Sequence, residues 1–72
     1  MSLSVGRYRH YKGADYAVEG VATHSETGEQ LVVYRPLYGA GDLWVRPLAM
    51  FVEQVEYEGK PVPRFAYLGE AD

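Results

Sequence analysis

Arg46-Pro47-Leu48-Ala49-Met50-Phe51-Val52-Glu53-Gln54-Val55 is the stretch on which the fold turns. Leu48, Phe51, Val52 and Val55 recur at i, i+3, i+4 and i+7, which is a helical period. Pro47 suits a first helical position, where its missing N–H is no loss. Yet Val52 to Tyr57 also alternates in part, and Glu58-Gly59 is a good hairpin turn. The favoured reading is one helical turn over 47–51 followed by a strand. A single helix over 47–56 is the alternative.

Turn signals recur on both sides of that stretch. They are Lys12-Gly13-Ala14-Asp15, Glu26-Thr27-Gly28-Glu29, Tyr38-Gly39-Ala40-Gly41-Asp42 and Tyr57-Glu58-Gly59-Lys60. Glycine supplies the positive φ that tight hairpins require. The segments between are rich in Tyr, Val, Phe and Thr, which fit a pleated surface. Strands are predicted over Gly6–Tyr11, Tyr16–His24, Gln30–Leu37, Leu43–Arg46, Val52–Tyr57 and Arg64–Leu68. The expected fold is mostly β: a small five- to six-stranded antiparallel SH3-like barrel with one short helical turn near residues 47–51. In the second strand Tyr16, Val18, Gly20, Ala22 and His24 share one face. Gly20 in mid-strand predicts a bulge or bend. Pro36 should weaken pairing at the end of the third strand.

The chain has 72 residues and a formal charge of −3, with no cysteine. That length allows one domain. The expected layout is a flexible N-terminus over 1–5, a domain over 6–68 and a flexible C-terminus over 69–72. With no cysteine there is no disulfide framework and no thiolate zinc site. No secretory leader or membrane span is visible in the sequence, so a cytoplasmic protein is expected. The negative net charge argues against a protein driven mainly by phosphate contacts. Aromatics make up 14% of the chain. In so small a domain large rings are an efficient core filler, at roughly 150–250 Å² each. Phe51, Phe65, Tyr16 and Tyr34 read as core. Tyr8, Tyr11, Tyr38 and Trp44 are left as candidates for a surface role.

Four clusters could carry chemistry. The first is the set of rings Tyr8, Tyr11, Tyr34, Tyr38, Tyr57 and Tyr67 with Trp44. These would line a groove for a proline-rich peptide if exposed side by side, and would read the same in sequence if buried. Arg7-Tyr8-Arg9-His10-Tyr11-Lys12 combines cations with rings. On a strand Arg7, Arg9 and Tyr11 share one face, and Tyr8, His10 and Lys12 the other. Rings beside guanidinium groups can hold single-stranded nucleic acid, and Arg46 and Arg64 could join such a patch. A charge-protected edge strand is the plainer reading. His10 and His24, with Ser25 and Glu26, invite a hydrolase or metal site. Adjacent His24 and Ser25 point to opposite faces of a strand, however, and no ligand spacing is diagnostic. A turn in which His24 bonds a backbone group explains those residues better. Finally Arg35-Pro36, Trp44-Val45-Arg46-Pro47 and Arg64-Phe65 set arginines beside Pro or aromatic residues, with Glu19, Glu53 and Glu56 as available partners.

Several phrases carry a resemblance when taken in order. They are Gly6-Arg7-Tyr8-Arg9-His10-Tyr11-Lys12-Gly13, Tyr16-Ala17-Val18 and His24-Ser25-Glu26-Thr27, then Leu31-Val32-Val33-Tyr34-Arg35 and Leu37-Tyr38-Gly39. Leu43-Trp44-Val45-Arg46-Pro47-Leu48, Met50-Phe51 and Val62-Pro63-Arg64-Phe65 complete the set. The chain resembles a family of small bacterial proteins known as domain of unknown function 1653, from Gly6 to about Leu68. The resemblance implies a stand-alone bacterial domain. It implies no activity, cofactor or catalytic residue.

The functional expectation is a non-enzymatic module that binds a protein or peptide, without cofactor or metal. Its candidate binding residues are Arg7, Tyr8, Arg9, His10, Tyr11, Lys12, Arg35, Tyr38, Trp44, Arg46 and Arg64. A weak single-stranded nucleic-acid binder is the alternative, and a site at His10 and His24 a lesser one.

Overall fold

The computed structural model describes residues 3–70. The expected flexible ends fall partly beyond them, at residues 1–2 and 71–72. The chain forms β1 (Gly6–His10), β2 (Asp15–Thr23), β3 (Gln30–Pro36), β4 (Trp44–Pro47), α1 (Leu48–Phe51), β5 (Gln54–Tyr57), β6 (Lys60–Pro63) and β7 (Phe65–Gly69). Five strands pair in the order β4-β3-β2-β1-β7, each neighbour antiparallel, and β5 and β6 form a separate hairpin. The strands so paired make an open order with β4 and β7 at its edges.

The opening ambiguity resolves as a helical turn and a strand. Helix α1 begins at Leu48, one residue after Pro47, which remains in β4 with φ −53° and ψ 137°. It has no side-chain cap and ends after one turn. What holds it is the burial of Leu48 and Phe51. Val52 is exposed, so the helical period does not continue into the core. The strand that follows starts at Gln54 rather than Val52.

Strand β6 goes beyond the expected set. It holds Pro61 and Pro63, and proline cannot donate a ladder bond. The hairpin tolerates both for a geometric reason. Glu58 and Gly59 have φ of 53° and 81°, the pair of positive values that a type I′ turn requires. Tyr57 and Lys60 flank that turn and Val55 faces Val62, so Pro61 and Pro63 alternate with the residues that bond β5. Their missing N–H groups fall on the open edge of the hairpin.

The bulge predicted at Gly20 is present, as a register shift between Val18 and Gly20. Its consequence for the faces differs from the simple alternation. Val18 lies opposite Tyr34, but beyond the bulge Val21 lies opposite Val32. The extra residue, Glu19, therefore sends Gly20 and Ala22 to the face opposite that of Tyr16 and Val18. From Val21 to Gln30 the β2–β3 ribbon is exposed except at His24.

One face of the sheet carries Tyr8, Tyr16, Val18, Val32, Tyr34 and Phe65, and these close over Leu48 and Phe51 to form the core. Phe51 stacks flat on Phe65 with centroids 4.1 Å apart. Tyr8 and Tyr34 each meet the Phe51 ring edge-on at 5.4 Å. The rings expected inside, Phe51, Phe65, Tyr16 and Tyr34, are there. Tyr8, expected at the surface, is a correction: it is 4% exposed and donates its hydroxyl to the Ser4 carbonyl at 2.7 Å. Burial pushes its pKa up, with Tyr67 adding to the effect.

Candidate functional site

The β1–β2 turn, the β3–β4 loop and the start of β7 lie at one end of the sheet. His10 pairs with Phe65, Tyr16 with Pro36, and the Leu37 N–H donates to the Asp15 carbonyl at 3.0 Å. This end gathers most of the candidate residues: His10, Tyr11, Lys12, Tyr38, Trp44, Arg46 and Arg64.

Phe65 is the hub of that end. Tyr16, Tyr34 and His10 stand edge-on around its ring at 5.5, 5.8 and 5.0 Å. Trp44 lies 6.1 Å from Tyr16 and is perpendicular to Tyr34 at 6.0 Å. Tyr38 meets Tyr16 edge-on at 5.8 Å, and the two hydroxyls are 3.0 Å apart. Burial and that hydrogen bond push the Tyr16 pKa up to about 12. The floor is therefore buried while the upper rings are open: Tyr38 is 50% exposed and Trp44 43%. Leu37 and Leu43, in the same loop, are exposed as well.

The cations of this end are placed by the rings. The Arg46 Nε donates to the Tyr34 hydroxyl at 3.2 Å, and its guanidinium carbon lies 5.7 Å from the Phe65 centroid. Arg64 donates from Nη2 to Glu53 at 2.8 Å, while its Nε is buried without a partner. His10 accepts the Lys12 backbone N–H on Nδ1 at 3.1 Å. Burial lowers its pKa first, and Arg46, Arg64 and Lys12 lower it further. Both effects disfavour its charged form. Lys12 also lies 5.8 Å from the centroid of Tyr11. Tyr11 meets Tyr57 at 5.6 Å beside a shallow groove of about 400 Å³, which His10, Val62 and Pro63 also line.

The remaining candidates stand apart from the Phe65 hub, although Arg9 lines the groove beside Tyr11 and Tyr57. Arg7 and Arg9 project from the opposite face and share Asp15, at 3.2 and 2.7 Å. The Arg9 hydrogen bond, ahead of the other influences, holds the Asp15 carboxyl below its usual range. Arg35 pairs with Glu19 at 3.0 Å. The basic first strand is thus split, with its arginines outside, Tyr8 in the core and His10 on the rim. Of the rings offered for a basic and aromatic surface on this strand, Tyr8 is withdrawn into the core. His24 accepts the Glu26 N–H on Nδ1 at 3.1 Å, the turn role expected of it. It lies just past the far end of β2 from His10. The eight steps from Asp15 to Thr23 span about 26 Å at about 3.3 Å each. A joint His10–His24 site is thereby ruled out. No group of three or more metal-ligating side chains occurs among the described residues.

Tyr16 and Phe65 were assigned to the core by the sequence, and their part as the floor beneath the exposed rings was missed. The available signal was order in the ladder: Tyr16 sits one residue past a turn, and Phe65 follows Arg64 at the start of a strand. The long loop after Pro36, with Leu37 and Leu43 flanking glycines, was a second signal.

The family model described as "Protein of unknown function (DUF1653)" matches residues 6–67. A crystal structure of a protein belonging to DUF1653 from Bordetella bronchiseptica is similar, with 40% identity and a TM-score of 0.87. The similarity covers 97% of this chain and 92% of that one. No functionally curated protein matches the chain.

Proposed function

We propose a binding function for this chain, which belongs to the DUF1653 family of proteins of unknown function: it takes a protein or peptide segment on the aromatic and arginine rim. The observation that carries this reading is the pair of exposed rings Tyr38 and Trp44, both packed on Tyr16, with Arg46 beside them on the Tyr34 hydroxyl and Leu37 and Leu43 exposed in the same loop. Apolar side chains clustered in the open and bordered by polar groups mark interaction sites. Tyr, Trp and Arg are also the residues enriched where binding energy concentrates. A rigid floor supports the rim, because Tyr16, Tyr34 and Phe65 are packed beneath it. On this reading the curled sheet and its hairpin serve as a small open barrel of SH3 type, presenting an aromatic groove at one end. The mode of action is non-enzymatic, and the cysteine-free composition suits a reducing, cytoplasmic setting. No helix is long and apolar enough to cross a membrane among the described residues. Single-stranded nucleic acid is the weaker fit, since Tyr8 is buried and Arg7 and Arg9 are both paired with Asp15.

Selection from a randomised peptide display library tests the reading. Enriched peptides should bind the full chain, and Trp44→Ala or Tyr38→Ala should weaken them by about tenfold or more. Enrichment of no consistent sequence, or binding indifferent to both substitutions, would remove the proposal. So would tight, salt-sensitive binding of a labelled oligonucleotide that leaves peptides unbound.

A further inference from the structure

We propose that Arg46, Arg64 and His10, gathered around Phe65, receive a carboxylate carried by the bound segment. This rests on the peptide-binding reading and adds the chemistry of the ligand to it.

Three observations converge. Arg46 is oriented by neutral groups alone, the Tyr34 hydroxyl and the Phe65 ring. Every ion pair among the described residues belongs to Arg7, Arg9, Arg35 or Arg64. Its two terminal nitrogens therefore keep the fork geometry that suits a carboxylate. Arg64 spends one nitrogen on Glu53 and keeps a buried Nε–H without an acceptor. Glu53 occupies only Nη2 and the Arg64 side chain keeps 23% of its surface exposed, so a donor remains for a ligand on the open side of the guanidinium. His10 uses Nδ1 to accept the Lys12 N–H, which places its own proton on Nε2 as a third donor.

The charge balance runs the same way. Arg46, Arg64 and Lys12 all act on His10, and of these only Arg64 has a carboxylate within ion-pair distance among the described residues. The site combines this local excess of positive charge with an apolar floor. That suits an acidic group next to an apolar or aromatic one. The protein's overall −3 charge disfavours a phosphate polymer.

The test uses N-acetylphenylalanine and its neutral counterpart N-acetylphenylalaninamide as probes of the full chain, followed by NMR at neutral pH and low salt. The acid should shift the side-chain resonances of His10, Arg46 and Arg64 saturably. The amide should bind about tenfold more weakly. Arg46→Gln should abolish the difference between the two. The pKa of His10 should rise when the acid is bound, because a neighbouring carboxylate favours the imidazolium. The groups that face His10 and set that value are Arg46 from β4, Arg64 before β7 and Lys12 of its own turn, with the Tyr11, Tyr16 and Phe65 rings against it. The acid-to-amide comparison is made on the unmodified chain, so it stands even if Arg46→Gln fails to fold. Equal binding of acid and amide at Trp44 overturns the carboxylate receptor while leaving the aromatic rim intact. Shifts confined to Arg7 and Arg9, no binding of the acid into the tens of millimolar, or a clear preference for phenyl phosphate would each overturn it too.

Discussion

Replacing Phe51 by alanine removes the ring that holds α1 to the sheet. Phe51 is 1% exposed, stacks on Phe65 and receives the edges of Tyr8 and Tyr34. Large-to-small changes at such a site cost about 3–5 kcal/mol, from lost transfer energy and the cavity left behind. The upper half of that range applies here. The surrounding rings belong to separate strands and cannot all collapse inward, and three aromatic contacts are lost with the ring. At about 0.05–0.15 kcal/mol per residue, a 72-residue domain has roughly 4–11 kcal/mol in all. The variant therefore sits near the edge of folding. Its melting temperature should fall by about 16–40 °C, taking about 4–5 kcal/mol and about 4–8 °C per kcal/mol for a domain of this size. Thermal and urea unfolding followed by circular dichroism would read this directly. Val52→Ala, one residue on and exposed, is the control, with an expected cost within about 0.5 kcal/mol. A drop of only a few degrees for Phe51→Ala, or an equal loss for Val52→Ala, would show that α1 is held by something other than Phe51.

Two glycines should respond in opposite directions. Gly20 has an ordinary φ and open space where a Cβ would go, so Gly20→Ala should stabilise by about 0.5–1 kcal/mol in urea unfolding. Gly6, at φ +145°, would drive a Cβ into the Gly69 carbonyl oxygen, so Gly6→Ala should destabilise by about 1–3 kcal/mol and loosen β7. The alkaline limb of stability should report Tyr16. Its pKa, near 10 in the unfolded chain, is raised to about 12 by burial and by Tyr38. The folded state holds that proton more tightly. The contribution is therefore whole below about pH 10 and is lost as pH rises towards about 12. Urea midpoints measured across that window should decline more steeply for the parent chain than for Tyr16→Phe, and parallel declines would contradict the assignment.

Much of this arrangement was legible in the residues, and the rest was hidden for specific reasons. Turn chemistry located the hairpins, because positive φ leaves a sequence mark such as Gly13, Gly28 or Gly59. Period two sorted β1 correctly into two faces. It could not say which face was inside, since both mixed rings with charge, and so Tyr8 was placed at the surface. Gly20 announced the bulge. What it did to Ala22 depends on the ladder partner, which is a property of β3 and not of β2 alone. Strand β6 was concealed by its prolines, whose tolerance depends on which edge is open. The site was legible as residue types and not as a constellation. Arg46, Arg64 and His10 are far apart in sequence, and it is the pairing of β1 with β7 that brings His10 beside Phe65.

The β2–β3 turn lies at the opposite end of the sheet from the aromatic rim. Six steps along β3, from Gln30 to Pro36, set the two ends about 20 Å apart at about 3.4 Å per residue. The turn is exposed apart from His24. The natural sequence also offers no thiol to compete with one placed by design. Glu26→Cys therefore gives a single attachment point for a fluorophore or a surface tether. A chain anchored there would present its rim outward, in one orientation, to whatever partner is passed across it.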